Sequence, residues 1–166
     1  ITQMSNFGLK KALKEQGIDY LETSVGDKYV QAALKQEKLI LGGEQSGHVI
    51  FLDELNTGDG LLSAIKLLNI LQTTSKSLSE LVISLKQYPQ LLKNISVKNK
   101  SEVMSHPAVI QLIKDIEIRL GQHGRILVRP SGTEPLIRIM VEALQPQQCE
   151  QYVQELVTLI ENTFIN

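Results

Sequence analysis

Hydrophobic and polar positions in the first half of this chain follow two patterns. Apolar residues recur at helical intervals in some segments, and short, continuous apolar runs lie between them. The helical segments are 6–16, 27–36 and 60–72, and the apolar runs are 39–41 and 48–52. Segment 18–23, in which apolar and polar residues are mixed, is also predicted to be a strand. This order predicts helices and short strands packed in α/β layers. In segment 60–72 nearly every position is apolar, so we expect that helix to be buried on most sides.

The second half has a different pattern. It predicts strands at 92–97, 125–129 and 136–143 and helices starting at 107 and 147. Along 136–143 the residues Ile137, Ile139 and Val141 alternate with more polar positions, so one face of that strand belongs to the core. We therefore expect a small antiparallel sheet covered by helices.

The change of pattern divides the chain into two domains. A Ser/Thr-rich stretch at 73–79 leads into a short predicted helix that ends at about residue 86, with Ser77 and Glu80 as its capping box. Pro89 then interrupts the pattern. The predicted domains are residues 1–88, an α/β unit with a partial, mixed sheet, and residues 89–166, a small α+β unit.

Composition narrows the classes of function. The 166 residues are 42% hydrophobic and carry 17 basic and 18 acidic side chains, for a formal charge of −1. Such a balance gives no electrostatic support for binding nucleic acid or an acidic membrane. No apolar run approaches the roughly 20 residues of a membrane helix. A single cysteine, Cys149, excludes an internal disulfide framework and suits a reducing compartment, so we expect a cytoplasmic protein.

The most unusual local sequence is segment 129–135 (RPSGTEP), between two predicted strands. Arg129 has a planar fork that matches phosphate oxygens, and Ser131 and Thr133 add hydroxyl groups. The backbone N–H groups of Ser131, Gly132 and Thr133 could converge on an anion, with Gly132 supplying the unusual dihedral angles. Arg138 could add a second charge. The alternative is a rigid turn whose polar residues only satisfy its own backbone.

A second candidate is segment 42–48 (GGEQSGH), at the end of a predicted strand, where α/β proteins commonly bind ligands. Glu44 and Ser46 lie two residues apart, so in an extended segment both project from one side and could bind neighbouring sugar hydroxyls. The alternative is a strand-to-strand turn with His48 half-buried in the core. Glu44 and His48 alone are too few ligands for a metal site.

Together these two segments resemble the α-D-phosphohexomutase superfamily, namely the sugar-binding loop of its third domain and the phosphate-binding loop of its fourth. Four further segments are similar to the branch of the superfamily that acts on glucosamine phosphates. They are 4–9 (MSNFGL), 25–30 (VGDKYV), 57–60 (TGDG) and 134–138 (EPLIR). The resemblance extends over essentially the whole chain, in the expected order.

The resemblance implies interconversion of glucosamine 6-phosphate and glucosamine 1-phosphate, on the route to UDP-N-acetylglucosamine and peptidoglycan. In that reaction a phosphoserine donates its phosphoryl group, a bisphosphorylated sugar forms and reorients, and the other phosphate returns to the serine. A Mg²⁺ held by an Asp-rich loop assists.

The resemblance also implies roles for residues of the first domain. Glu44 and Ser46 would bind sugar hydroxyls, and Asp27 and Lys28 would help to recognise the sugar. His48 would lie near the transferring phosphoryl group, as a proton handler or an electrostatic partner.

In the second domain, the resemblance assigns the non-reacting phosphate to Arg129, Ser131, Gly132 and Thr133. Pro89, near the joint between the domains, would suit a hinge that opens while the intermediate reorients.

The chain contains no serine in the superfamily's nucleophile context and no Asp-Gly-Asp-Gly-Asp-like loop. We expect the serine and the Mg²⁺ ligands to lie in preceding N-terminal domains, which would be its partners, and the chain alone to be inactive and metal-free. Alternatives are a branch acting on mannose or glucose phosphates and a standalone phosphosugar-binding module. A homodimer stays an open alternative, because a shortened third domain would expose a core edge.

Overall fold

The computed structural model describes residues 1–165, and the chain divides into two compact units, Ile1–Gln87 and Tyr88–Asn166. The predicted mixed α/β fold class is confirmed. Among the helices of residues 1–165, none combines the length and apolar character needed to cross a bilayer.

The first unit contains four helices and one short hairpin. Its elements are α1 (Phe7–Glu15), α2 (Asp27–Gln36), β1 (Leu41–Gly43), β2 (Val49–Phe51), α3 (Gly60–Thr74) and α4 (Leu78–Val82). Three of these helices start at a capping residue: the side chains of Asn6, Asp59 and Ser77 each accept a hydrogen bond from a first-turn backbone N–H. Strands β1 and β2 pair antiparallel, with Gly42 opposite Ile50.

The strand predicted at 18–23 is wrong. This segment makes only an isolated parallel bridge, between Thr23 and Thr2. Ile18 is 52% exposed and Leu21 45% exposed, although both are apolar. A strand forms only where a neighbouring strand satisfies its backbone groups along its length. Here residues 1–3 alone pair with the segment: Ile1 N donates to Leu21 O (3.0 Å), Thr23 N to Ile1 O (3.0 Å) and Gln3 N to Thr23 O (2.9 Å).

The expectation that helix 60–72 is buried on most sides is also wrong. No residue of α3 is buried, and Leu61 and Leu68 are 73% and 63% exposed. The buried core of the unit consists of Val30, Leu34 and Ile50, with which Leu52 packs. Within the described chain this core is too small to cover a helix that is apolar around most of its circumference.

The second unit is a three-stranded antiparallel sheet with helices. Its elements are β3 (Gln90–Ser96), α5 (Lys100–Ser105), α6 (Pro107–Leu120), a 3₁₀ turn (Gly121–His123), β4 (Gly124–Pro130), β5 (Leu136–Ala143) and α7 (Pro146–Phe164). The strand order is β3-β5-β4, so β5 is central. All three predicted strands are confirmed, and the short helix α5 was not predicted.

The predicted core face of β5 is confirmed. Ile137, Ile139, Val141 and Ala143 are fully buried and belong to one cluster with residues of α6 and α7. Because this cluster fixes both strands of the β4–β5 hairpin, it also fixes the two ends of the loop that joins them.

Candidate functional site

The β1–β2 hairpin carries the loop of residues 44–48. Its backbone is closed by a hydrogen bond from Glu44 N to His48 O (2.9 Å) and by a turn in which Gly47 N donates to Glu44 O (3.1 Å). Gly47 has a φ of +94°, a conformation that glycine adopts without strain. The predicted loop position between two strands is therefore confirmed.

Three predicted side chains of this loop form a hydrogen-bonded chain. The Ser46 hydroxyl donates to Glu44 Oε2 (3.0 Å), and its Oγ lies 3.0 Å from His48 Nδ1. Since Ser46 gives its one proton to the carboxylate, His48 Nδ1 is the donor in the second contact. That tautomer leaves Nε2 of a neutral imidazole as an acceptor. His48 is 60% exposed at its side chain, so the alternative of a core histidine is wrong.

Glu44 also holds a second loop of the same unit. Its Oε1 accepts a hydrogen bond from Gly26 N (2.6 Å), 18 residues earlier in the sequence, and its side chain is only 9% exposed. Gly26 has a φ of +128° and directly precedes α2. Glu44 therefore fixes the start of the helix that carries Asp27 and Lys28.

Asp27 and Lys28 are both exposed at the first turn of α2. Asp27 Oδ1 accepts from Lys28 N (2.8 Å), and the Lys28 ammonium lies 4.8 Å from the centre of the Tyr29 ring. On its other side, Glu44 lines a cavity of about 470 Å³ within the first unit, together with Ser5, Asn6 and Gln45. The predicted sugar-binding residues thus belong to one connected pair of loops.

The loop of residues 131–135 joins β4 to β5 in the second unit. Ser131 is buried, its N–H donates to Leu136 O (2.9 Å), and its Oγ accepts from Glu134 N (3.3 Å). The expectation that the Ser131 amide faces an anion is therefore wrong, because that amide closes the loop. Gly132 does not have a positive φ, so the expected unusual dihedral angle is also wrong.

Several donors of this loop have no partner within residues 1–165. The amides of Gly132 and Thr133 donate to no protein acceptor, and the Arg129 guanidinium forms no hydrogen bond or ion pair. Gly132 and Thr133 are exposed, and no atom lies within 4 Å of the position that a Cβ on Gly132 would occupy. Free backbone donors beside open space and a guanidinium are typical of an anion site.

The two predicted arginines are direct cross-strand partners. Arg129 of β4 lies opposite Arg138 of β5, on the face of the sheet that is opposite to Ile137 and Ile139. Like charges at opposed positions are destabilising. Arg138 is partly neutralised by Glu134 (Nη2 to Oε2, 3.0 Å), but its buried Nε has no partner in the described residues. An anion at this end of the sheet would relieve the repulsion.

Lys100 is a residue that sequence reasoning did not single out. Its ammonium donates to the carbonyl oxygens of Ser131 (2.6 Å) and Glu134 (3.1 Å). Because Lys100 lies 31 residues before Ser131, no local sequence pattern connects it with the loop.

A Mg²⁺ does not fit the residues that the structure describes. Residues 1–165 contain no group of three or more His, Cys, Asp or Glu side chains that could hold a metal ion.

Two family models match the chain in sequence order. Residues 1–88 match the phosphoglucomutase/phosphomannomutase alpha/beta/alpha domain III, and residues 92–159 match the phosphoglucomutase/phosphomannomutase C-terminal domain.

Several curated relatives are about 50% identical to this chain. The chain is 50% identical over 160 residues to phosphoglucosamine mutase of Oceanobacillus iheyensis, a match that covers 96% of this chain and 36% of that protein. It is 49% identical over 161 residues to phosphoglucosamine mutase of Bacillus subtilis, covering 97% and 36%. The chain thus spans about a third of the length of these relatives.

Solved structures share the fold at low identity. A structure of Aspergillus fumigatus N-acetylphosphoglucosamine mutase matches with a TM-score of 0.81 and 17% identity, over 97% of this chain and 37% of that one. A substrate complex of N-acetylglucosamine-phosphate mutase, a member of the α-D-phosphohexomutase superfamily, matches with a TM-score of 0.77 and 19% identity, over 96% and 37%.

Proposed function

Because this chain belongs to the phosphoglucomutase/phosphomannomutase family, we propose that it is the substrate-binding part of a phosphoglucosamine mutase. The reaction is the interconversion of glucosamine 6-phosphate and glucosamine 1-phosphate. One observation carries the proposal: within residues 1–165 the Gly132 and Thr133 amides of the loop donate to no acceptor, and the guanidinium of Arg129, two residues before the loop, forms no hydrogen bond or ion pair. Identity of about 50% to curated phosphoglucosamine mutases supports glucosamine phosphate over mannose or glucose phosphate.

The phosphate that does not react binds at the β4–β5 loop. Arg129 contributes a planar pair of donors, Gly132 and Thr133 contribute amides, and the Thr133 hydroxyl adds another donor. Ser131 holds the loop closed through its amide and Oγ. Arg138 adds a second positive charge, which favours a phosphate dianion over a neutral group.

The sugar hydroxyls bind at the loop of residues 44–48. Glu44 already accepts from Gly26 N and Ser46 Oγ, but a carboxylate has about four lone-pair positions and can accept sugar hydroxyls as well. Asp27 and Lys28 stand next to the Gly26 amide that Glu44 holds, which supports a role for them in distinguishing the sugar.

The chemical step is transfer of a phosphoryl group from a phosphoserine to the free hydroxyl of the sugar monophosphate. The sugar becomes a bisphosphate, and after it reorients its other phosphoryl group returns to the serine. His48 acts as a proton handler or an electrostatic partner near that group, and the free Nε2 of the tautomer described above suits it to accept a hydroxyl proton. Positioning and charge neutralisation account for most catalysis of such transfers.

The serine and the ligands of a Mg²⁺ belong, in this proposal, to other domains of the full-length protein. The bound metal would supply charge neutralisation during the transfer. These domains are the proposed protein partner of the chain, which alone would be inactive. The single, buried Cys149 agrees with a reducing, cytoplasmic setting.

The test is an assay of the full-length protein that contains this chain, on glucosamine, mannose and glucose 6-phosphates. We expect glucosamine 6-phosphate to be preferred. Arg129→Ala should lower kcat/KM by about 10- to 150-fold, the equivalent of losing a charge-assisted hydrogen bond of about 1.5–3 kcal/mol. Lys114→Ala, which removes an exposed cation elsewhere in the second unit, is the control.

Two results would contradict the proposal. Unchanged kinetics in Arg129→Ala would remove that residue from the site. Binding of sugar phosphates without turnover by the full-length protein would favour a phosphosugar-binding module instead.

A further inference from the structure

Lys100, at the first position of α5, donates hydrogen bonds to backbone carbonyl oxygens of the loop of residues 131–135. Its Nζ lies 2.6 Å from Ser131 O and 3.1 Å from Glu134 O, so one ammonium bridges both ends of the loop. The residue is half-buried, and its backbone position is set by the helix cap, where Asn99 Oδ1 accepts from Glu102 N (3.2 Å).

These contacts determine the direction of an amide that is central to the anion site. The carbonyl of Ser131 and the N–H of Gly132 belong to the same planar trans peptide, in which the two groups point in opposite directions. Because Lys100 holds the Ser131 carbonyl toward itself, the Gly132 N–H points away from Lys100. Within residues 1–165 the Gly132 amide has no acceptor, and no atom lies within 4 Å of the position of a Cβ on Gly132.

The charge of Lys100 is not used in any ion pair. No carboxylate of residues 1–165 lies within 4.0 Å of its Nζ, and its partners are the two backbone carbonyls alone. An ammonium that is bonded only to carbonyls strengthens the polarisation of the Ser131–Gly132 peptide, which makes the Gly132 N–H a better donor to an anion. The Glu134 carbonyl precedes Pro135, so its peptide has no N–H and this contact only holds the loop.

We propose that Lys100 is a positioning residue of the phosphate site: by holding the carbonyls of Ser131 and Glu134, it aims the Gly132 amide at the bound phosphate. Lys100 itself does not touch the phosphate. This inference rests on the proposed function, since it presupposes that an anion binds at the Gly132 amide.

The test is a titration of the 166-residue chain with inorganic phosphate, followed by the amide signals of Gly132 and Thr133 in two-dimensional NMR spectra. Lys100→Met removes the donor, and Lys100→Arg keeps a charged donor at the same place. Lys98→Met is the matched control, because Lys98 is exposed and lines the same surface as Pro135 but contacts neither carbonyl.

We expect Lys100→Met to weaken phosphate binding by about tenfold, as for misalignment of one hydrogen bond to a charged group. Its Gly132 amide signal should also shift before any phosphate is added. Lys100→Arg should retain affinity to within about threefold, and Lys98→Met should lose less than about threefold, since an exposed charge is largely screened by salt. Unchanged signals of core amides such as Ile139 would show that each variant is folded.

The other outcomes distinguish the role of Lys100 from the anion site itself. Phosphate affinity in Lys100→Met equal to that of the unchanged chain overturns the role of Lys100 alone. An equal loss in Lys98→Met and Lys100→Met would mean that net charge matters and positioning does not. If the unchanged chain shows no phosphate-dependent shift at Gly132, the anion site and this inference both fail. If Lys100→Met does not fold, a weakened Lys100→Arg that retains its core signals overturns the inference, and an unweakened one supports it.

Discussion

At the scale of single residues, two glycines of the second unit have different surroundings. A Cβ on Gly124 would lie 2.2 Å from the backbone oxygen of Glu142, whereas a Cβ on Gly132 would meet no atom within 4 Å. Gly124 therefore permits close packing of β4 against β5. Gly132 instead leaves room beside a free amide, and the proposed phosphate would use that room.

This contrast predicts opposite effects of the same substitution. Gly132→Ala should leave the free energy of unfolding within about 0.5 kcal/mol of the unchanged chain, because its Cβ meets no atom. It should nevertheless weaken phosphate binding severalfold, because the methyl group occupies the approach to the Gly132 amide. Gly124→Ala should destabilise the chain by more than about 1 kcal/mol through overpacking. Urea unfolding and a phosphate titration measure both effects, and full phosphate affinity in Gly132→Ala would place the anion elsewhere.

Residue types and spacing were enough to single out the two loops, but not the contacts inside them. Glu44 was predicted to face sugar hydroxyls, yet one of its oxygens holds Gly26 N, 18 residues away. The Ser131 amide was predicted to face an anion, yet it closes the loop onto Leu136 O. Such contacts depend on how separate segments fold together, and local sequence patterns contain no information about them.

At the scale of elements, a predicted strand forms where the described chain supplies neighbouring strands that hydrogen-bond along its length. The strand 136–143 was predicted with its correct bounds and core face, because it alternates and has a strand on each side. The segment 18–23 is less apolar and pairs only with residues 1–3 in the described chain, and it forms no strand. Local propensity identifies a candidate strand, and only hydrogen-bonding neighbours make it one.

An ion pair between helices α6 and α7 gives a prediction about pH. The two terminal guanidinium nitrogens of Arg119, Nη1 and Nη2, donate to the Glu155 carboxylate at 3.1 and 2.6 Å, and the guanidinium lies 4.7 Å from the centre of the Tyr152 ring. The hydrogen bond from Arg119 lowers the pKa of Glu155 below its ordinary value of 4.5. The stabilisation by this pair is therefore complete above about pH 4.5 and is lost as pH falls through the lower pKa of the folded state.

Accordingly, Glu155→Gln should reduce the free energy of unfolding by about 0.2–1 kcal/mol at pH 7, the range for a partly exposed pair. The difference from the unchanged chain should shrink at pH 3, where the carboxylate is increasingly protonated. Urea unfolding followed by circular dichroism at both pH values gives the comparison. Glu150→Gln, which neutralises an exposed carboxylate of α7 outside any ion pair of residues 1–165, should show neither effect. A Glu155→Gln difference that is independent of pH would argue against an ionic contribution.

At the scale of the whole molecule, the two units differ in how completely they bury their apolar residues. The core of the second unit joins three strands to α6 and α7, whereas that of the first unit is centred on Val30, Leu34 and Ile50. The first unit also holds an apolar cavity of about 450 Å³ lined by residues of α1, α2 and β1. Most of the exposed large hydrophobic residues lie in this unit, with α3 prominent among them. A surface of this kind is typical of an interface.

The proposed occupant of that surface is another part of the full-length protein, since the chain spans about a third of its curated relatives. Leu61 and Leu68 lie two turns apart on the same face of α3 and are 73% and 63% exposed. In the 166-residue chain this face is open, so we expect concentration-dependent self-association in sedimentation velocity. The double variant Leu61→Glu/Leu68→Glu should abolish it while keeping the helix, because glutamate is a good helix former.

The same double variant should have the opposite effect in the full-length protein. There each leucine would be buried, so losing both should destabilise folding by more than about 2 kcal/mol, given about 1.5–3 kcal/mol per buried leucine. Ile118→Glu is the matched control, because Ile118 is a 77% exposed apolar residue on α6 of the well-packed second unit. It should change neither association of the chain nor stability of the full-length protein. Equal stability of the full-length double variant would mean that α3 faces solvent there as well, and that its apolar sequence serves another contact.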